Sequence, residues 1–172
     1  ISLLETQPNV LEPDAWSAIV ATVPFARDED VLRIAAAPAL AAEIDKPEDA
    51  ITAGIVQHAT LNQTVAQPIV VSVDTRAVDA TRRRLHDYAM QVTLRNADGD
   101  VIGGNQIYFD PVETDWQHAE LQFMPASPVA TVDVRLVALM KTGTIEFRAP
   151  MLVQLPADSA MITLDGRTIT AE

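Results

Sequence analysis

The 172-residue chain contains no cysteine, which excludes disulfides, thiolate metal sites and a cysteine nucleophile. Cations are in short supply: 12 Lys and Arg stand against 24 Asp and Glu, a formal net charge of −12. A surface of that sign repels phosphate backbones and anionic lipid surfaces and keeps the chain soluble, so no nucleic-acid partner is expected. No apolar run approaches the roughly 20 residues needed to cross a bilayer, so this segment is not expected to insert into a membrane. The three histidines, His58, His86 and His118, are scattered and lack ligand spacing such as H-x-x-x-H, and no metal site is expected. There is no G-x-S-x-G elbow, phosphate loop or dinucleotide fingerprint, and so no cofactor and no catalytic residue is assigned. Internal repeats and low-complexity tracts are also missing. Aromatics are few, with two Trp, two Tyr and four Phe, so the core must come mainly from Val, Ile, Leu and Ala.

There is enough of that material: 48% of the chain is hydrophobic, sufficient for a buried core and against a disordered tail. From residue 51 onward it recurs with a period of two. Ile69, Val71 and Val73 fall on one face of "PIVVSVDTRA". Tyr88, Met90, Val92 and Leu94 share a face of "DYAMQVTLRN", with Ala89, Gln91, Thr93 and Arg95 on the other. Val132, Val134, Leu136 and Ala138 share a face opposite Asp133, Arg135 and Val137. Alternation in β-branched residues predicts half-buried strands. "NADGD" (96–100), Lys141-Thr142-Gly143 and Asp165-Gly166 are read as turns, the Asp-Gly pairs because they tolerate positive φ. Strands between turn signals, with no βαβ rhythm, predict an all-β sandwich or barrel.

The first 50 residues are less regular. Residues 17–23 and Val31–Ala36 are read as strands, and Pro38 argues against a continuous helix through "VLRIAAAPALAAEI", the rest of which is read as irregular. Residues 27–30 and 43–49 are read as solvated loops, and 79–86 as a turn of helix or a charged loop. The chain opens with Ile1, which suggests a processed or excised piece, with any signal peptide or anchor trimmed.

Four pieces in order form a series: "AGIVQHATLNQTVAQPIVVSVDTRA" (53–77), "DYAMQVTLRNADGDVIGG" (87–104), "DWQHAELQFMPASPVATVDVRL" (115–136) and "GTIEFRAPML" (143–152). The series resembles the carbohydrate-binding-module-like domains, of the galactose-binding-like superfamily, found in bacterial polysaccharide-active proteins. Their pattern runs G-x-x-Q-x-x-x-L-N-Q, a D-Y strand into a D-G turn, a D-W-Q strand ending near Pro, and a last strand with G-T-x-x-F. The match covers about residues 50–155 and, more loosely, "SLLE" and "DAW" before them. It implies a two-sheet antiparallel jelly-roll β-sandwich, taken over 1–156, with no chemistry of its own. Residues 157–172 stand apart: "AMITLDGRTIT" reads as a hairpin that extends a sheet or as the start of a next domain, and since an isolated hairpin is marginal it is expected to dock on the sandwich or pair with another chain. Such domains often hold calcium through an early Glu and an F-D-D-V strand. Here Phe147-Arg148-Ala149-Pro150 replaces that pattern, so no calcium is expected there, and Arg148 is expected to pair with an early carboxylate, Glu5. The Trp of D-W-Q, Trp116, is by resemblance a core residue rather than a sugar platform, although strict alternation puts it on the more polar face. Tyr88 is likewise read as core.

The candidate ligand-binding cluster is "GGNQIYFD" (103–110), where Asn105, Gln106 and Tyr108 combine two amides with an aromatic ring. Gln57 and His58 join it if their strand lies alongside. Sugar rings stack their C–H faces on aromatics while amides bind hydroxyls. With so few aromatics the expected site is a shallow cleft for a soluble chain, bound weakly. Asn105 and Gln106 could equally be plain solvent-facing residues. His118 and Glu120 share a strand face and are read as a surface pair, and "RRR" (82–84) as a solvated loop or an anchor for an anionic glycan.

Two functions of different class follow. One is a non-catalytic glycan-binding module of a larger exported or membrane-anchored bacterial protein, working outside the cytoplasm beside other domains of its parent. The other is a structural or protein-interaction sandwich without sugar binding. An enzyme, with Asp110 and Glu113 as its carboxylates, is the third and weakest reading.

Overall fold

The period-two runs become strands in the computed structural model, which describes residues 3–43, 52–164 and 167–171. The element order is α1 (Leu3–Thr6), β1 (Ser17–Ala18), β2 (Phe25–Asp28), β3 (Val31–Ala35), α2 (Pro38–Glu43), β4 (Gly54–Thr60) and β5 (Ile69–Arg82). A single 3-10 turn at Leu85–Asp87 leads into β6 (Tyr88–Arg95), β7 (Val101–Tyr108), β8 (Gln117–Phe123), β9 (Thr131–Ala138), β10 (Met140–Gln154), β11 (Ala160–Leu164) and β12 (Arg167–Ala171). One antiparallel sheet, here sheet A, has the order β1-β4-β9-β6-β7. Sheet B has the order β2-β3-β10-β5-β8. From β3 to β10 the chain crosses between sheets at every step except the β6–β7 hairpin, a jelly-roll winding. The all-β two-sheet sandwich is therefore the observed fold.

Alternation decides what lies between the sheets. Tyr88, Met90, Val92 and Leu94 of β6 face Val132, Val134 and Leu136 of β9 in register, all buried. From sheet B come Ile69, Val71, Val73, Ile145 and Phe147. Tyr88, Phe109 and Phe147 meet at ring-centre distances of 5.0–6.4 Å, in the tilted and edge-on geometries aromatic rings prefer. The Tyr88 hydroxyl bonds Thr75 Oγ1 at 2.8 Å, and that oxygen also donates to the Glu146 carbonyl. Burial pushes the Tyr88 phenol up to about 12, the Thr75 bond opposing it and Asp110 adding to it.

Several expectations change. Only Ser17–Ala18 of residues 17–23 is strand, because pairing with β4 stops at Ile55 and the chain turns at Val20–Val23. Pro38 does not simply interrupt the alanine-rich stretch; it is the first residue of α2, where its missing N–H costs nothing and its fixed φ suits a helix start. Lys141–Gly143 is not a turn but an irregular part of β10 against the end of β5. There Gly143 has φ +79, and a Cβ would lie 2.3 Å from the Asp79 carbonyl oxygen. The Asn96–Asp100 turn forms as read, with Gly99 at φ +87. The loop expected around 43–49 and the Asp165-Gly166 turn lie outside the described residues. β11 and β12 pair with each other as a separate two-stranded sheet, with β12 beside β8 and α1.

The two outer faces differ. Sheet B's is occupied. Leu4 of α1 packs with Val70, Met151, Val153 and Leu155 at one end, and an ionic network fills the other. Sheet A's outer face, below its buried end row of Val137 and Ala89, is polar and open.

Candidate functional site

On sheet A the registers line up side chains in rows. Gly54, Val137, Ala89 and Tyr108 form the first, and Ser17, Val56, Arg135, Gln91 and Gln106 the second. His58, Asp133, Thr93 and Gly104 form the third. Gln91 Nε2 donates to Gln106 Oε1 at 3.2 Å, and Gln106 Nε2 donates to the Tyr108 hydroxyl at 2.7 Å. Tyr108 is 38% exposed, and the His86 ring stands 6.1 Å from its own. Beside this relay Thr93 and Gly104 are small, and with Gln91 and Gln106 they line a shallow open recess of about 680 Å³ along β6 and β7. Two amides and a hydroxyl line this shallow trough, with the Tyr108 ring beside Gln106 on β7 and the Arg135 side chain next to Gln91 in the same row on β9. It presents hydrogen-bond donors and acceptors, and no carboxylate lines it. Asp133 is engaged on both oxygens, by His58 Nδ1 at 2.5 Å and Arg95 Nε at 3.5 Å.

The five expected site residues separate. Gln106 and Tyr108 share the trough. Asn105 points to the other face of β7, in register with buried Val92, and lines a cleft of about 490 Å³ between the edge strands β7 and β8. His58 shares the outer face but lies three strands from Tyr108. Gln57 is 3% exposed. Its amide accepts from the Glu12 N–H at 2.7 Å and donates to the Glu12 carbonyl at 2.9 Å, so it fastens the N-terminal segment to β4. Gln91, Thr93 and Arg135 were not singled out as site residues. Their signal was present: Gln91 and Thr93 lie on the polar face of β6, and the Asn96–Asp100 hairpin sets Gln91 opposite Gln106.

Trp116 is not a core residue, contrary to what the resemblance implied. It lies half-buried on the outer face of sheet B, as strict alternation says, with the guanidinium carbons of Arg148 and Arg76 at 4.0 and 4.6 Å from its ring centre. Arg148 pairs with Asp74 at 3.2 Å rather than with Glu5, because β5 is the neighbouring strand and brings Asp74 alongside. His118 joins the same carboxylate at 2.7 Å and approaches Glu120 at 3.5 Å, a surface cluster as expected. Glu146, 5% exposed, accepts from Arg33 at 2.9 Å and Arg76 at 2.5 Å. Burial pushes its pKa up, but the two guanidiniums outweigh that and hold the carboxyl below its ordinary value.

The "RRR" patch is turned toward the protein's own groups rather than standing as a solvated loop. Arg82 donates to the Phe109 carbonyl at 2.7 Å, and Arg83 and Arg84 pair with buried Asp87 at 3.4 and 3.2 Å. Asp110 and Glu113 each accept a backbone N–H within their own turn and do not face each other across a cleft. Among the described residues no three His, Asp or Glu side chains gather as a metal site, and no helix is long and apolar enough to cross a membrane.

No family model and no curated protein matches this chain. Solved structures do. The CBM22-1 xylan-binding domain of Paenibacillus barcinonensis Xyn10C is similar over 88% of this chain and 97% of its own, with TM-score 0.54 and 10% identity. An arabinose-bound α-L-arabinofuranosidase, MgGH51, matches 89% of this chain at TM-score 0.52 and 16% identity, and this chain spans only 25% of its length. The CBM22-1–GH10 modules of Clostridium thermocellum Xyn10B, complexed with xylohexaose, match 87% of this chain and 28% of theirs at TM-score 0.53 and 8% identity. The likeness is one of fold: the chain is a carbohydrate-binding-module-like β-sandwich.

Proposed function

We propose that this domain is a non-catalytic glycan-binding module that lays a single soluble chain across the outer face of sheet A. The observation that carries this reading is the Gln91–Gln106–Tyr108 relay beside a shallow recess on the open sheet. Tyr108 offers a ring to the apolar face of one sugar, and the amides and Thr93 take up hydroxyls. A single partly exposed aromatic limits affinity to roughly the millimolar-to-ten-micromolar range, about 4–7 kcal/mol. The domain would serve as an accessory to other domains of an exported bacterial protein, outside the cytoplasm. Asn105, in the neighbouring edge cleft, is a contact for a chain that overhangs β7.

A broad glycan array with folded protein tests this, with Tyr108→Ala, Gln106→Ala and Asn105→Ala alongside. Binding that Tyr108→Ala and Gln106→Ala both abolish is the expected result. Absence of binding from folded protein would overturn it. The alternative, a protein-interaction sandwich, is favoured by one observation: β7 is an eight-residue edge strand, VIGGNQIY, with neither charge nor proline, open to pairing with another chain.

A further inference from the structure

The arginines of the chain follow a pattern. Ten arginines are present, and the side chains of nine are described, Arg167 being the exception. Arg27, Arg33, Arg76, Arg83, Arg84, Arg95 and Arg148 are ion-paired, and Arg82 is bonded to a carbonyl. In a chain with twice as many anions as cations this is the expected outcome. Arg135 departs from it: among the described residues it has no hydrogen-bond or ion-pair partner. Its nearest acidic neighbour on the same strand face, Asp133, has both oxygens committed to His58 and Arg95. Arg135 is also placed where a ligand would meet it. It belongs to β9, the central strand of sheet A, is exposed, and shares a row with Gln91 and Gln106.

We infer that Arg135 reads a carboxylate, and that the glycan is a neutral chain carrying isolated uronic acid groups. This rests on the glycan-binding reading above and narrows it. A guanidinium offers a planar fork that matches a carboxylate in two parallel hydrogen bonds, which neutral hydroxyls do not exploit. One unpaired guanidinium takes one carboxylate. A polyuronate would bring many negative charges to a domain of net charge −12, and the long-range repulsion would work against it. A sparsely substituted chain avoids that, because charges more than about 8 Å from the contact are largely screened at physiological salt. The stacked neutral ring at Tyr108 and the charged group at Arg135 are then parts of one ligand, two strands apart.

The test is an array in which each uronate-bearing glycan is printed beside its carboxyl-reduced form and beside a polyuronate, probed with wild-type protein, Arg135→Gln and Arg135→Lys. The expected result is a preference of at least about fivefold for the sparsely carboxylated form over its reduced partner. Arg135→Gln should remove the preference so that the two forms bind alike, Arg135→Lys should restore part of it, and raised salt should diminish it. Equal binding of both forms by the wild type, or a preference that survives Arg135→Gln, overturns this inference and leaves the glycan-binding reading standing. Tightest binding to the polyuronate overturns the sparse-substitution claim. No binding to any glycan overturns both readings.

Discussion

Arg148 holds its guanidinium carbon 4.0 Å from the centre of the Trp116 ring while its Nε reaches Asp74 at 3.2 Å. The ring thus supports a charge network, on the sheet opposite the trough. Trp116→Ala is expected to destabilise the fold by about 1–3 kcal/mol, from two cation–π contacts and lost packing, and to leave glycan affinity unchanged. Urea unfolding and the array read the two effects separately. Loss of binding without loss of stability would make Trp116 a platform after all.

Glu146 ties Arg33 and Arg76 together from a buried position. Its folded pKa lies below the unfolded value near 4.5. Its contribution is therefore fully present above that value and is lost as pH falls through the lower, folded pKa. Stability measured from pH 6 downward should decline in this window, and Glu146→Gln should flatten that decline while lowering stability at pH 7. An unchanged acid limb in the variant would refute the assignment.

Tyr88 acts at the other end of the scale. Its phenol titrates at about 12 when folded against 10.0 ordinarily, so the stability linked to it is complete below pH 10 and lost as pH rises through 12. Tyr88→Phe is expected to remove that alkaline dependence and to cost about 1 kcal/mol at pH 7 for the lost bond to Thr75. Denaturation followed from pH 8 to 11 compares the two proteins. An identical alkaline limb would count against it.

Gln57→Leu should leave the Glu12 N–H and carbonyl without their side-chain partner, a loss of about 1–3 kcal/mol. Amide exchange at Glu12 should accelerate while the glycan profile stays as it was. A changed profile would return Gln57 to the binding site.

How far the sequence spoke depended on the kind of signal. Period-two alternation placed β5, β6 and β9 and assigned their buried faces, because a one-residue error would turn every core side chain outward. The same rule, that neighbours on a strand point to opposite faces, was not applied to Asn105 and Gln106, which were grouped in one cluster and which the register of β7 sets apart. Alternation could not show that Gln57 is used by a backbone 45 residues away, nor that Arg148 lies beside Asp74, because both depend on which strands become neighbours across a crossover. Pro38 does rule out one continuous helix, as read; the helix that starts at it was missed, because proline ends a helix from within but begins one well. Trp116 was correctly placed by alternation and misplaced by resemblance. Arg135 was visible as a polar-face residue, but its lack of a partner is a property of the assembled sheet.

The clamp at Glu12 has a counterpart. Asn9 donates to the Pro150 carbonyl and accepts from the Leu152 N–H on β10, and Val10 N–H bonds the Leu152 carbonyl. Three residues later Glu12 is held by Gln57 on β4. One short strap is thus riveted to sheet B and then to sheet A. Tension entering the domain through this strap is shared between the two sheets, loading hydrogen bonds on both before the sandwich can be pried apart.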